Sequence, residues 1–259
     1  MVFSSNVFLL YFFPIFLALY FITPKKFRNY TLLLASFIFY AYGAPEFVIQ
    51  LIVSNIANFY LVKYMHRSEK PLTKKILCGI SITISIGLLF YYKYGNFSMQ
   101  NFNFIAGLFG REPVEWMQIL LPIGISFFSF QSVTYTLDTY RGINEPMKRL
   151  SDYMLYITMF PQLVAGPIIR YCDIADQIRE RESLMTDRLH GFYRFVLGLS
   201  KKILIADVIG YQVDKILGPS NYDVLTSAQL SDIANKIANL DSTTAWVVIL
   251  AFTFQTYFD

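Results

Sequence analysis

The stretch from Trp116 to Leu137 reads WMQILLPIGISFFSFQSVTYTL and carries no charged side chain. About 20 helical residues cross the ~30 Å hydrocarbon core of a bilayer, so the run is long enough to span one. It does not alternate apolar and polar residues as a membrane-barrel strand would. A helix is the economical reading, because it satisfies its own backbone inside lipid. The same reading extends outward in both directions. Met1 to Pro24, Asn29 to Pro45, Phe47 to Val62, Ile76 to Tyr92, Tyr153 to Ile169 and Ser242 to Phe258 are also free of charge.

Composition agrees. Of 259 residues, 55% are hydrophobic and only 15% charged, against about a quarter charged in a soluble domain. Lipid must therefore cover part of the surface. A nucleic-acid-binding domain, a disordered tail and a secreted disulfide scaffold are excluded, the last because 2 Cys make no disulfide framework. The fold expected is all-α: a polytopic transmembrane bundle forming a single membrane domain over residues 1–259. The first segment has no basic start, no small-x-small cleavage site and Pro14 in its middle. It reads as a retained, kinked helix rather than a signal peptide.

The basic residues set an orientation. Lys25, Lys26 and Arg28 follow the first apolar run. Lys63, Arg67, Lys70, Lys74 and Lys75 follow the third, and Arg141, Lys148 and Arg149 the fifth. The intervening gaps hold only Lys93 and Arg111 as basic residues. The alternation places the N-terminus outside and the loops after the first, third and fifth helices in the cytoplasm. Past residue 150 the pattern breaks. Tyr153 to Ile169 is interrupted by Pro161, Gly166 and Pro167, and is followed by Arg170, Arg179, Arg181 and Arg188. A broken or re-entrant segment fits both the prolines and the arginines. Leu189 to Leu217 is apolar yet carries Arg194, Lys201, Lys202 and Asp207. A helix with those charges lies at the interface or turns them toward a polar cavity. Pro219, Asn221 and Asp223 mark a loop.

Signatures of soluble chemistry fail. His66 sits in a basic loop and His190 at a helix start, neither near a second ligand, so no metal site is assigned. Cys78 and Cys172 are each alone. Gly124 to Phe128 is half a nucleophile elbow, without its second glycine and in an apolar helix. Gly198 to Lys201 lacks the upstream glycine of a phosphate loop. Two stretches remain. Leu121 to Gln131 leads into Asp138-Thr-Tyr140-Arg141-Gly142, and Phe160-Pro-Gln162 runs through a proline-broken segment to Arg170. Polar groups at membrane depth are costly unless partnered. The plain reading of Gln131 and Gln162 is that they bond neighbouring helices.

These stretches resemble the membrane-bound O-acyltransferase family, in particular its bacterial AlgI-like (alginate O-acetylation) branch. That branch carries Leu-Pro-x-Gly-Ile-Ser-Phe-aromatic-x-Phe-Gln followed by Asp-x-Tyr-Arg-Gly, here Leu121 to Gln131 and Asp138 to Gly142. It carries Phe-Pro-Gln-Leu-x-Ala-Gly-Pro-Ile-x-Arg, here Phe160 to Arg170. It carries Gly-x-x-Lys-Lys-x-x-Ile-Ala-Asp, here Gly198 to Asp207, and Tyr-Phe-Asp, here Tyr257 to Asp259. Order and spacing agree along essentially the whole chain.

The resemblance implies an O-acyltransferase of the plasma (inner) membrane, multi-pass. It would move an acetyl or other acyl group across the membrane to an exported alginate-like polysaccharide or a cell-wall glycan. It implies no bound cofactor, and an acyl donor such as acetyl-CoA or an acyl-carrier thioester. The implied partners are membrane lipid, exported or periplasmic acetyltransferase proteins and a polysaccharide acceptor, with no nucleic acid. The family's catalytic His, a residue type suited to taking and returning a hydroxyl proton near neutrality, is expected beyond Asp259. Neither His66 nor His190 matches its position. The chain thus reads as the N-terminal part of such an enzyme, with the C-terminal catalytic part absent. Gln131, Asp138, Tyr140, Arg141, Gln162, Arg170, Lys201, Lys202 and Asp259 would bind substrate or line a channel. A small-molecule transporter or flippase, or a membrane subunit without chemistry, is the alternative, since broken helices also mark transporters.

Two outcomes are expected. Cysteines introduced at Lys26 and Lys74 are protected from a membrane-impermeant reagent in intact cells, while one at Asn101 reacts; the reverse pattern sinks the orientation. The 259-residue chain expressed alone inserts into membranes but restores no O-acetylation to a strain lacking the enzyme. Restoration that His190→Ala abolishes would place the catalytic centre in this chain.

Overall fold

The computed structural model describes residues 3–164, 166–179, 184–218 and 227–259. Ala165, Arg181 and the expected loop at Pro219, Asn221 and Asp223 lie outside these residues, as does the Arg179 side chain. Every regular element among the described residues is helical, and the chain is an all-α membrane bundle. It divides into two compact units, Ser5–Glu182 and Ser183–Asp259.

The first unit opens with a π-helical turn, Phe8–Phe12, that runs into α1 (Phe13–Ile22). Pro14 explains the turn: proline has no N–H and its ring crowds the carbonyl four residues back. A wider turn relieves both. Then come α2 (Arg28–Gly43), α3 (Val48–Arg67), α4 (Pro71–Leu108), α5 (Ile125–Tyr140), α6 (Leu150–Thr158), the short α7 (Phe160–Leu163) and α8 (Tyr171–Arg179). Among the described residues, two single helical segments are long and apolar enough to cross a membrane: Pro45–Arg67, which adds a short turn to α3, and Pro71–Leu108. Phe8–Ile22 is apolar but shorter. At 1.5 Å per residue the 38 residues of α4 extend about 57 Å, well past the hydrocarbon core.

The run from Trp116 to Leu137 is not one helix. Its first part is irregular, and α5 begins only at Ile125, because Gly124 takes φ +76° two residues after Pro122. Two asparagines on the far end of α4 carry the irregular backbone. The Asn103 side chain donates to the Val114 carbonyl (3.0 Å) and accepts from the Val114 N–H (2.9 Å). Asn96 donates to the Ile119 carbonyl (2.9 Å) and accepts from the Ile119 N–H (3.0 Å) and the Trp116 indole (3.1 Å). The segment after residue 150 is broken as its prolines predict. α6 stops at Thr158, Pro161 sits in the first turn of α7, and Gly166 takes φ +98°. The freed Phe160 N–H donates to Ser36 Oγ (3.1 Å) on α2. The Phe160 ring lies among Phe8, Phe12, Phe16 and Phe39, with centroids 5.2–6.2 Å away.

The core of the first unit is polar at its centre. Asn58 on α3 donates to Ser85 Oγ (3.0 Å) on α4 and Ser132 Oγ (2.9 Å) on α5, and its amide oxygen accepts from Ser81 Oγ (2.9 Å). Ser81 also meets Thr136 Oγ1 (2.9 Å), and Ser132 meets the Tyr153 hydroxyl (3.0 Å) on α6. All six residues are buried. This network, not Gln131 or Gln162, makes the interhelical hydrogen bonds that the sequence assigned to glutamines.

The second unit is α9 (Met185–Lys201), a π-helical turn Lys202–Ala206, α10 (Asp207–Leu217), α11 (Ser227–Ala238) and α12 (Ser242–Phe258). The first three form one uninterrupted helical run, and α12 packs against the π-turn and α10. Ser231–Ala238 and α12 meet at a bend of 117°, and the pair fits one broken span or a re-entrant loop. Asp241 caps α12, accepting from the Thr244 N–H (3.1 Å) and its hydroxyl (2.6 Å).

Three substitutions test this packing by thermal midpoint in detergent. Interhelical side-chain bonds in membrane proteins average roughly 0.6 kcal/mol, so Asn58→Ala, which removes three, is expected to cost about 2 kcal/mol. Ser54→Ala is expected to cost far less, because the Ser54 hydroxyl bonds only a carbonyl of its own helix. At Gly124 an added Cβ would stand 2.4 Å from the Leu163 carbonyl oxygen. The left-handed backbone alone adds roughly 1–3 kcal/mol of strain, so Gly124→Ala is expected to lose at least that much. Equal midpoints for Asn58→Ala and Ser54→Ala would remove the network from its central role.

Candidate functional site

Each motif reads locally as a way of ending or bending a helix. At the end of α5 the Gly142 N–H donates to the Thr139 carbonyl (3.2 Å) and the Ile143 N–H to the Asp138 carbonyl (2.9 Å). With Gly142 at φ +73° this is a Schellman cap, so the glycine of Asp-x-Tyr-Arg-Gly is set by backbone geometry. Gly124 and Leu163, from the first and second motifs, touch at the other end of α5.

The first charged pair joins the same two motifs. Arg170 donates from Nη2 to Asp138 Oδ1 at 2.8 Å. Asp138 is buried, while the Arg170 side chain is half exposed. The hydrogen bond and negative charge of Asp138 raise the Arg170 pKa further, so the guanidinium stays charged at any working pH. Beneath the pair lies a tyrosine cluster. The Tyr135 ring is 4.8 Å from Tyr153 and 4.9 Å from Tyr171, and Tyr156 is 5.7 Å from Tyr171. Their hydroxyls brace the loops. Tyr171 donates to the Glu145 carbonyl (3.0 Å), Tyr156 to the Ile169 carbonyl (3.1 Å), and Tyr135 accepts from the Met147 N–H (3.0 Å).

Several polar atoms here have capacity to spare. Both amide atoms of buried Gln131, Asp138 Oδ2, Thr139 Oγ1 and Gln162 Oε1 have no hydrogen-bond partner among the described residues. Gln131 and Asp138 are seven apart on α5 and share a face. Buried polar atoms without partners are rare and ask for a water or a ligand group. Tyr140 and Arg141, at the helix end, are exposed.

In the second unit the third and fourth motifs meet. The Lys202 ammonium pairs with Asp259 and lies 3.5 Å from Asp207. Burial pulls the Lys202 pKa down, but the Asp259 and Asp207 carboxylates outweigh it, and the net direction is up. Lys202 and Asp207 are five residues apart, the repeat of the π-turn between them. That spacing was readable in the sequence, although Asp207 was not among the residues expected to bind substrate or line a channel. Lys201 is exposed and makes no ion pair among the described residues. His66 and His190 are both exposed. No group of three or more His, Cys, Asp or Glu gathers among the described residues. The sequence reading missed Asn58, whose only signal is an amide within an apolar run.

No family model and no solved structure matches the chain. Curated relatives do. The chain is 37% identical over 262 residues to a protein named probable alginate O-acetylase AlgI of Pseudomonas putida, covering 100% of the chain and 50% of that relative. It is 34% identical over 260 residues to the protein of that name in Pseudomonas aeruginosa, covering 46% of it. It is 26% identical over 292 residues to a peptidoglycan O-acetyltransferase of Helicobacter pylori, covering 51% of it. In each case the match takes in the whole chain, which spans about half the length of these relatives. With four motifs in order, the chain is similar along its whole length to proteins named probable alginate O-acetylase AlgI, of which it spans about half.

Proposed function

We propose that this chain is part of a membrane-bound O-acetyltransferase of the plasma (inner) membrane that passes an acetyl group to hydroxyls of an exported polysaccharide or a cell-wall glycan. The observation that carries the reading is the full-length similarity to alginate O-acetylases. The meeting of its motifs in pairs, Asp138 with Arg170 and Lys202 with Asp259, supports it. The donor is an activated acyl thioester, acetyl-CoA or an acyl carrier, and exported acetyltransferase proteins are the partners that finish the transfer. Moving an acyl group to an acceptor beyond the membrane needs a lipid-excluding wall with fixed polar groups inside it. The first unit has that composition: an apolar outside, a satisfied centre at Asn58, and spare hydrogen-bonding capacity at Gln131, Asp138 and Gln162. An unpaired amide or carboxylate oxygen in a low-dielectric wall can accept a hydrogen bond from a sugar hydroxyl or a water. Arg170, half exposed and permanently charged, can meet an anionic donor while anchored on Asp138. Neither His66 nor His190 is assigned the proton transfer.

The test measures base-labile acetate separately in the exported polysaccharide and in the peptidoglycan of a deletion strain. Loss from one fraction, restored by the full open reading frame, identifies the acceptor; unchanged acetate in both overturns the reading. In the restored strain, Arg170→Ala is expected to lower acetylation more than it lowers protein level. Asp138→Asn alongside Arg170→Ala is expected to recover protein level without recovering acetylation, because it removes the stranded buried charge but not the need for the arginine.

A further inference from the structure

The two adjacent lysines of the third motif stand in different surroundings. Lys202 opens the π-turn, is largely covered, and faces two carboxylates: Asp207, five residues on, and Asp259, at the end of α12. Lys201 closes α9, is exposed, and has no ion pair among the described residues. Consecutive helical side chains point about 100° apart, so the two cannot share one task on one face. The packing around Lys202 is close. α12 lies against the π-turn and α10, and a Cβ on Gly210 would come within 2.7 Å of the Gln255 amide nitrogen. The Asp259 carboxylate is brought to Lys202 by that same approach of α12.

A π-turn costs a regular hydrogen-bond step and persists where something fixes it. Here it aligns Lys202 with Asp207 and turns both toward the end of α12. An ammonium held between two carboxylates has little capacity left for a third anion, whereas an unpaired neighbouring ammonium keeps all of its own. We propose that the lysine pair is divided in role: Lys202 is a positioning residue that clamps the Tyr-Phe-Asp end of α12 to the π-turn, and Lys201 is the cation that meets the anionic part of the acyl donor. The Lys201 half rests on the function proposed above. The Lys202 half does not.

The experiment uses the full open reading frame product in detergent and has two arms. In the first, thermal midpoints are measured for Lys202→Asp, Asp259→Lys and the double exchange. Each single change is expected to lower the midpoint and the double exchange to recover most of the loss, while Lys201→Asp combined with Asp259→Lys recovers nothing. Losses that simply add overturn the clamp. In the second, acetyl transfer is followed with radiolabelled acetyl-CoA as donor. Lys201→Ala is expected to raise KM for the donor about tenfold, the value of one charge-assisted contact, with kcat held. Lys202→Ala is expected to lower kcat with KM held, and Lys202→Arg to restore it. A rise in KM from Lys202→Ala with a silent Lys201→Ala reverses the roles and overturns the proposal. A wild-type protein that transfers no acetyl from this donor removes the Lys201 role, while the proposed function is decided by the acetate of the deletion strain and the first arm still decides Lys202.

Discussion

Asn58 commits every hydrogen-bonding atom of its side chain to hydroxyls on two other helices. That arrangement answers the constraint that governs this molecule: away from water, a polar group without a partner is expensive. An apolar bundle in lipid has little hydrophobic reason to prefer one helix arrangement over another. A buried amide with three hydroxyls around it supplies that preference, because sliding any one of the helices leaves several groups unpaired together. Ser132 passes the network on to Tyr153, and so to the tyrosine cluster that braces the loops around Asp138 and Arg170. The rigidity of the charged pair is thus linked by direct contacts to the packing of the membrane helices.

The same constraint explains why the interruptions are tolerable. Pro122 and Gly124 mark the start of α5, and the irregular backbone before them is bonded by Asn96 and Asn103. The break between α6 and α7 frees the Phe160 N–H, and Ser36 takes it. Where irregular backbone is satisfied in this way, it can line a polar interior without collapsing. Unpartnered buried atoms of Gln131, Asp138 and Gln162 remain among the described residues, as do others such as Asn55 Nδ2 and Ser129 Oγ. Those of Gln131, Asp138 and Gln162 lie on or beside the motif residues, where a substrate group or water can fill them.

The motifs also divide into two kinds of residue. Glycines and prolines shape the backbone: Gly124 at a left-handed start, Gly142 in a Schellman cap, Pro161 in a first turn. The charged residues act across the bundle, joining segments far apart in sequence. A family pattern that mixes the two therefore does not mark binding residues uniformly. Gly142 is needed by the turn, while its neighbours Tyr140 and Arg141 stay exposed.

The sequence by itself determined the class of the molecule and the places where its helices break. Charge-free runs too long for a soluble surface require lipid, and Pro14, Pro161 and Gly166 disturb a helix wherever they stand, because their backbone preferences are local. It also carried the resemblance to alginate O-acetylases, through residues in fixed order. What the tertiary structure decided was partnership. Gln131 and Gln162 read as interhelical glue, but Asn58 with Ser81, Ser85, Ser132 and Thr136 does that work. Trp116 to Leu137 read as one helix, but Asn96 holds its first part as irregular backbone along α4. Lys201 and Lys202 read as equivalent, and the π-turn that brings up Asp207 together with the approach of α12 separates them. Which polar atoms meet depends on helix rotation and crossing, and those follow from contacts between residues distant in sequence, which no local pattern encodes.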